Sequence, residues 1–351
     1  MAKLAALKAK HINQSIKNSR MKKWSFPILL IVGPFLLVFA IGVSISYGAA
    51  NIDLKTVWDA VFHYNAQLVP HKIIWELRMP RVLGSVIIGA CFSVSGALMQ
   101  GVTRNPLADS GILGINAGAA FVLALCYAFF PALPFFYLMI CSFIGAGVGA
   151  GIVYGMSSLS PNGMSPVRLV LAGAAVSALL TALSQGLAIY FQIGQDLAFW
   201  YAGGTSGIHW FELMMILPWV IGAFLAALFL SPSITILSLG DNIASGLGMH
   251  TGIIKTASIV MVLILAGAAV SVVGAIGFVG LIVPHLTRYL VGTDYRKIIP
   301  STAILGSLLL VLADLGARSI NPPYETPVGV LIALIGIPFF LYLAGSERSD
   351  H

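Results

Sequence analysis

Apolar runs about as long as a bilayer is thick recur along this chain, and no other feature so narrows what it can fold into. A spanning helix needs about 20 mostly apolar residues, because backbone polar groups in lipid must bond within their own segment. Such runs occupy 25–47, 80–101, 112–130, 136–157, 167–191, 211–230, 253–273, 277–291, 300–316 and 327–344, separated by breaks rich in Pro, Gly, Asn and charge. The eighth is short: Gly274, Gly277 and Gly280 either break a longer apolar stretch in two or bend one element. Of the 351 residues 58% are hydrophobic and only 9% charged, whereas a soluble domain carries roughly 25% charge. The expected fold is an all-α polytopic membrane protein of about ten helices, with a tail at 1–24, a transmembrane domain at 25–344 and a second tail at 345–351.

The net charge of +7 suggests nucleic acid until its distribution is considered. Lys3, Lys8, Lys10, Lys17, Arg20, Lys22 and Lys23 precede residue 24 with no acid among them, which leaves twelve of the nineteen bases against twelve acids elsewhere. There is no basic face interleaved with aromatics, so nucleic acid is not an expected partner. With an even number of spans both termini share a side. That side holds the tail, Arg104, Arg168, Lys255, Arg288, Arg296, Lys297 and Arg348; the other holds Lys55, Lys72, Arg78, Arg81 and Arg318. The positive-inside rule makes the termini cytoplasmic. The run at 25–47 is longer than the 7–15 residues of a signal-peptide core and reads as a retained helix, although Ser46 to Ala50 offers small residues for cleavage.

Glycines at 114/118, 145/149, 147/151 and 151/155 have the small-xxx-small spacing that lets helices approach closely in lipid. Cys91, Cys126 and Cys141 form no CxxC and lie in apolar runs, where a thiol packs as a small hydrophobe. No P-loop is present: Lys255-Thr256 follows Ile254 where the motif needs a glycine. Neither HExxH nor GxSxG occurs. His285, behind Pro284, reads as a packed histidine near a kink. Asp109, Glu212 and Asp314 fall near span ends, so ion coupling through deep carboxylates is disfavoured. A conduit energised from elsewhere remains, with an ion-coupled transporter as the rival.

Several blocks sharpen that reading. One runs Arg78-Met79-Pro80-Arg81-Val82-Leu83-Gly84, Gly89-Ala90, Gly96 to Gln100, Arg104-Asn105-Pro106-Leu107-Ala108 and Gly111 to Gly114. Later come Leu239-Gly240, Ala244, Leu247-Gly248, Gly274 to Leu281, Pro284-His285, Arg288, Ala313-Asp314, Ala317-Arg318 and Pro327-Val328-Gly329. In this order the chain resembles, from about residue 25 to 344, the permease subunits of the iron-siderophore and vitamin B12 type II ABC importers. The long basic tail departs from that pattern. The resemblance implies a second permease subunit, identical or related, two cytoplasmic ATPase subunits carrying ATP and Mg, and an extracytoplasmic binding protein. The cargo expected is a ferric siderophore, with cobalamin and haem as alternatives; no cofactor is expected on this chain.

The resemblance assigns Arg78, Arg81 and Arg318 to docking of the binding protein, a task suited to a guanidinium that grips carboxylates with two donors. The alternative is that they anchor helix ends at lipid headgroups, with Glu76 neutralising one. Leu239, Ile243 and Leu247 recur every four residues and would form an apolar ridge; with Gly240, Ala244 and Gly248 they match the family's ATPase-coupling element, against an amphipathic turn on the bilayer. Ser177, Thr181, Ser184, Gln185 and Gln192 fall within about a 100° arc if the fifth span is helical throughout, which suits a wet translocation pathway, with Asn116 as a weaker member. Ser165, Pro166 and Val167 occupy the position of the family's inner gate, where Pro166 and Val167 depart from the small hydroxyl residues of some relatives. Trp200, Tyr201 and Trp210 read as interfacial anchors.

Overall fold

The computed structural model describes residues 2–47, 52–158, 165–321 and 324–347; side chains at 2–23, 54, 343, 344, 346 and 347 are not described. Arg348, and residues 48–50 of the cleavage candidate, lie outside this set. The elements run α1 (Ala2–Ser46), α2 (Leu54–Phe62), α3 (Val69–Lys72) leading through a π-helical turn (Ile73–Arg78) into α4 (Met79–Thr103), a 3-10 turn (Ser110–Leu113), α5 (Ile115–Phe129), α6 (Phe135–Ser158), α7 (Pro166–Tyr190), α8 (Gly194–Ala202), α9 (Trp210–Ser238), α10 (Asp241–Gly246), α11 (Thr251–Val273), α12 (Val279–Val291), α13 (Tyr295–Ile320) and α14 (Val328–Glu347). Among the described residues seven helical segments are long and apolar enough to cross a membrane, and Ile115–Phe129, Val279–Val291 and Val328–Tyr342 are shorter apolar helices. Each of the ten runs has its helix.

Three boundaries moved for physical reasons. The sixth run was expected to stop at 230, before Pro232, yet α9 continues to Ser238. Proline at 232 removes the amide that would bond the Leu228 carbonyl; the Ser231 hydroxyl donates to that carbonyl at 2.7 Å instead, which lets the helix pass. The ninth run extends to Tyr295 because the Asp294 side chain caps the amide of Arg296 at 3.0 Å. The glycine-rich stretch breaks rather than bends: α11 ends at Gly274 (φ 75°) and α12 starts after Phe278, itself at φ 67°.

α4 is the axis of the packing, buried along most of its length against α9, α11, α12 and α13. Two close approaches set its neighbours. A side chain at Gly96 would collide with the Gly280 carbonyl on α12, and one at Gly89 with the Gly306 carbonyl on α13. Gly114 and Gly118 meet Gly149 and Gly145 in the same manner, so α5 and α6 touch backbone to backbone. Gly147, Gly151 and Gly155 face open space. Half of the glycine pairs thus serve packing within the chain; the others leave the outward side of α6 smooth.

Candidate functional site

The last carbonyls of a helix have no partner within it, and the C-terminal end of α1 shows how this chain satisfies them. Arg78 Nη1 donates to Ile45 O at 2.6 Å and to Ser46 O at 3.0 Å. Arg318 donates from Nη1 to Tyr47 O at 3.0 Å and from Nη2 to Ser44 O at 3.2 Å and Ser44 Oγ at 2.6 Å. Two cations at a helix C-terminus also complement its dipole. Asp314, fully buried, holds this group together: its carboxylate pairs with Arg81 Nε at 2.9 Å and Arg318 Nη2 at 3.0 Å and accepts from the Thr205 hydroxyl. Arg81 reaches Glu325 with its Nη1. The three arginines therefore do gather at one end of the molecule, but they are inside it, with Arg78 only 6% exposed. Neutralisation comes from Asp314 and Glu325, whereas Glu76, proposed for that task, makes no ion pair among the described residues. The described donors of Arg78 go to Ile45 and Ser46 and those of Arg318 to Ser44, Tyr47 and Asp314, so both side chains are held within the molecule.

A second charged group lies at the opposite end of α4. Arg104, the left-handed residue after α4 (φ 52°), and Lys255 of α11 converge on Asp241 Oδ2 at 3.2 and 2.9 Å. Asp241 opens α10, so one acid ties this short helix to α4 and α11 together. The other side of the segment carries Leu239, Ile243 and Leu247, exposed by 63%, 51% and 68%, while Ala244 between them is fully buried. All three side chains are uncovered, but α10 holds only Ile243: Leu239 caps α9 and Leu247 follows α10, so the four-residue spacing does not by itself align them. Asp241 itself was not among the sequence candidates, although an acid directly after Gly240 in the first turn of a short helix was a readable signal. Asp241→Asn should loosen the segment: amide hydrogen exchange over 239–250 is expected to accelerate at least several-fold, with α4 and α11 unchanged.

The predicted polar arc is only partly realised. Ser177 and Thr181 are half-buried and Ser184 is buried; Ser177 lies beside Gly114, and Ser184 donates to Leu180 O at 2.7 Å. Ser177 therefore lies against the turn that opens α5, and the Ser184 hydroxyl is bonded within its own helix. Gln185 is exposed. Gln192 falls off the arc, because α7 ends at Tyr190 and Gln192 takes a left-handed turn (φ 58°), so helical spacing no longer positions it. Asn116, half-buried at the start of α5, borders Gly111. The open face of α7 instead carries Ala174, Ala178, Ala182 and Gly186 flanked by Leu171 and Leu179.

At the other end of α7, Ser165 caps the helix through the Arg168 amide at 3.4 Å, Pro166 is the first helical residue, and Val167 is 68% exposed. Ser165 and Pro166 share a narrow crevice with Thr103 and Lys255, which places these two gate candidates beside the Asp241 group. Trp210 is no simple surface anchor: its Nε1 donates to Trp75 O at 2.6 Å and its ring lies 6.0 Å from that of Trp75. His285 packs against Phe339 of α14, ring centroids 5.8 Å apart. Glu212 accepts from the His209 amide and Asp109 from that of Ser110, so both serve as caps.

Ten apolar helices, with a cluster of cations at one end and the exposed Leu239, Ile243 and Leu247 around a short helix at the other, make this a multi-pass membrane protein. The chain belongs to the FecCD transport family, whose model matches residues 36–345. It is 50% identical to the iron(3+)-hydroxamate import system permease protein FhuB of Bacillus subtilis over 92% of this chain and 84% of the relative, and 44% identical to the iron-uptake system permease protein FeuB of the same organism over 92% and 96%. A solved inward-facing conformation of a metal-chelate type ABC transporter superposes with a TM-score of 0.80 at 28% identity, covering 91% of this chain and 99% of that one.

Proposed function

We propose that this chain is the membrane-spanning subunit of an ATP-driven importer in a bacterial cytoplasmic membrane, translocating a ferric siderophore inward by alternating access. The observation that weighs most is the 50% identity to a ferric-hydroxamate permease across nearly the whole chain. Exposed Leu239, Ile243 and Leu247 are the surface offered to a cytoplasmic ATPase, with Gly240, Ala244 and Gly248 shaping it. Two such ATPases carry ATP and Mg, and this chain contributes no cofactor of its own. The open small-residue face of α7, with Gln185 at its margin, meets a second permease subunit, identical or related, across the pathway. Ser177, Thr181, Ser184 and Asn116 support that wall from behind. Ser165, Pro166 and Val167 form its inner gate. At the outer end Arg81, backed by Arg78 and Arg318, receives the extracytoplasmic binding protein.

The reading is tested by uptake into proteoliposomes holding the complete importer and its binding protein. Labelled ferric hydroxamate should enter only with ATP inside, should survive collapse of ion gradients, and should be displaced by unlabelled hydroxamate but not by haem or cobalamin. Uptake that follows an ion gradient would instead favour the secondary-transporter reading.

A further inference from the structure

The outer arginines differ in what they are free to exchange. The described contacts of Arg78 and Arg318 run to α1 carbonyls, to Ser44 and to buried Asp314. Arg81 is divided. Its Nε holds Asp314, whereas Nη1 holds Glu325, whose side chain is 45% exposed. Glu325 lies three residues before α14, on the rim of a cavity of about 430 Å³ that it shares with Arg81, Asp196, Trp200 and the backbone of residues 203–207. The cavity is large enough to admit a side chain from outside, and Arg81 is the cation on its wall.

We propose that Glu325 is an internal stand-in for a partner carboxylate. It occupies the outward donor of Arg81 in the undocked protein and gives it up to an acidic side chain of the binding protein that enters the cavity. This rests on the docking reading above. Exchange between two carboxylates of like exposure is close to neutral, since one arginine–carboxylate pair replaces another. It also keeps Arg81, only 11% exposed, from facing the cavity without an anion between encounters, a state that burial makes costly. Displacement would untie the segment between α13 and α14. The start of α14 would feel this first, because Gly329 abuts the Ala202 carbonyl at the end of α8.

The test uses the complete importer in nanodiscs and, as probe, its substrate-binding protein, freed of any lipid anchor. Glu325→Gln should raise its association constant threefold or more. Asp196→Asn, which removes a charge from the same cavity but none from Arg81, should change it by less than twofold. Arg81→Lys keeps a cation on Asp314 but cannot span both acids; it should weaken association about tenfold and abolish the gain from Glu325→Gln. A thermal melt of the lysine variant checks that Asp314 is still paired. Unchanged or weaker binding by Glu325→Gln, or equal gains from Glu325→Gln and Asp196→Asn, overturns the stand-in while docking at Arg81 stands. No loss in a folded Arg81→Lys protein overturns the docking reading itself.

Discussion

Replacing Asp314 with alanine is expected to destabilise the protein by about 3–5 kcal/mol, the range for removing one partner from a buried ion pair. The wild-type group sets Arg78, Arg81 and Arg318 against Asp314 and Glu325, and Asp314 alone touches two of the three arginines. Its loss would leave three cations with one exposed acid and an orphaned Thr205 hydroxyl. The damage should spread to α1, whose final carbonyls rest on Arg78 and Arg318. Asp314→Asn keeps the shape and one acceptor for Arg81 and Thr205, so its cost should fall between alanine and wild type. Unfolding midpoints in detergent, with hydrogen exchange over 40–47, measure both effects. A loss below about 1 kcal/mol for the alanine variant would mean that the arginines are solvated in the membrane-embedded protein and that the packed group is not what holds α1.

This network also shows where the sequence stops being legible. A spanning helix is a local sum over about 20 residues, so ten runs were readable and ten helices followed. Errors came at ends, where one hydrogen bond decides: the Ser231 hydroxyl on the carbonyl that Pro232 abandons is invisible to a hydropathy count. Arg78, Arg81 and Arg318 could be placed on one side by the charge rule. That Arg81 points inward depends on Asp314, 233 residues beyond it, and no spacing rule reaches across that separation; only the pair of Arg318 with Asp314, one helical turn apart, lay within reach of one. The arc on α7 failed differently. Period alone put Ser177, Thr181, Ser184, Gln185 and Gln192 together, but which side of a uniformly apolar helix is open depends on its neighbours, and a period means nothing past the residue where the helix ends. The exposure of Leu239, Ile243 and Leu247 was the most readable feature of the candidate sites, because apolar residues in a short polar break need no distant partner to be noticed.

The segment that carries them is held at both ends, and its far end carries the second large effect. Asp241 fixes the start of α10, while the exit is a Schellman turn: the Met249 amide bonds Ala244 O at 3.0 Å and the Gly248 amide bonds Ser245 O at 2.9 Å. Gly248 sits at φ 79° with nothing within 4 Å of where a side chain would begin. Its glycine is therefore required by conformation and not by space. A β-branched residue there is strained by roughly 1–2 kcal/mol and would relieve the strain by turning α10, and with it Ile243 and Leu247, away from the ATPase proposed to receive them. Gly248→Val should lower cargo imported per ATP hydrolysed at least tenfold while the ATPase still copurifies. Gly248→Asn should retain most of the coupling, because asparagine tolerates the left-handed region. The pair separates two explanations that a single bulky substitution confounds. If valine and asparagine uncouple equally, the partner needs the empty space above Gly248; if neither does, this segment is not the coupling element.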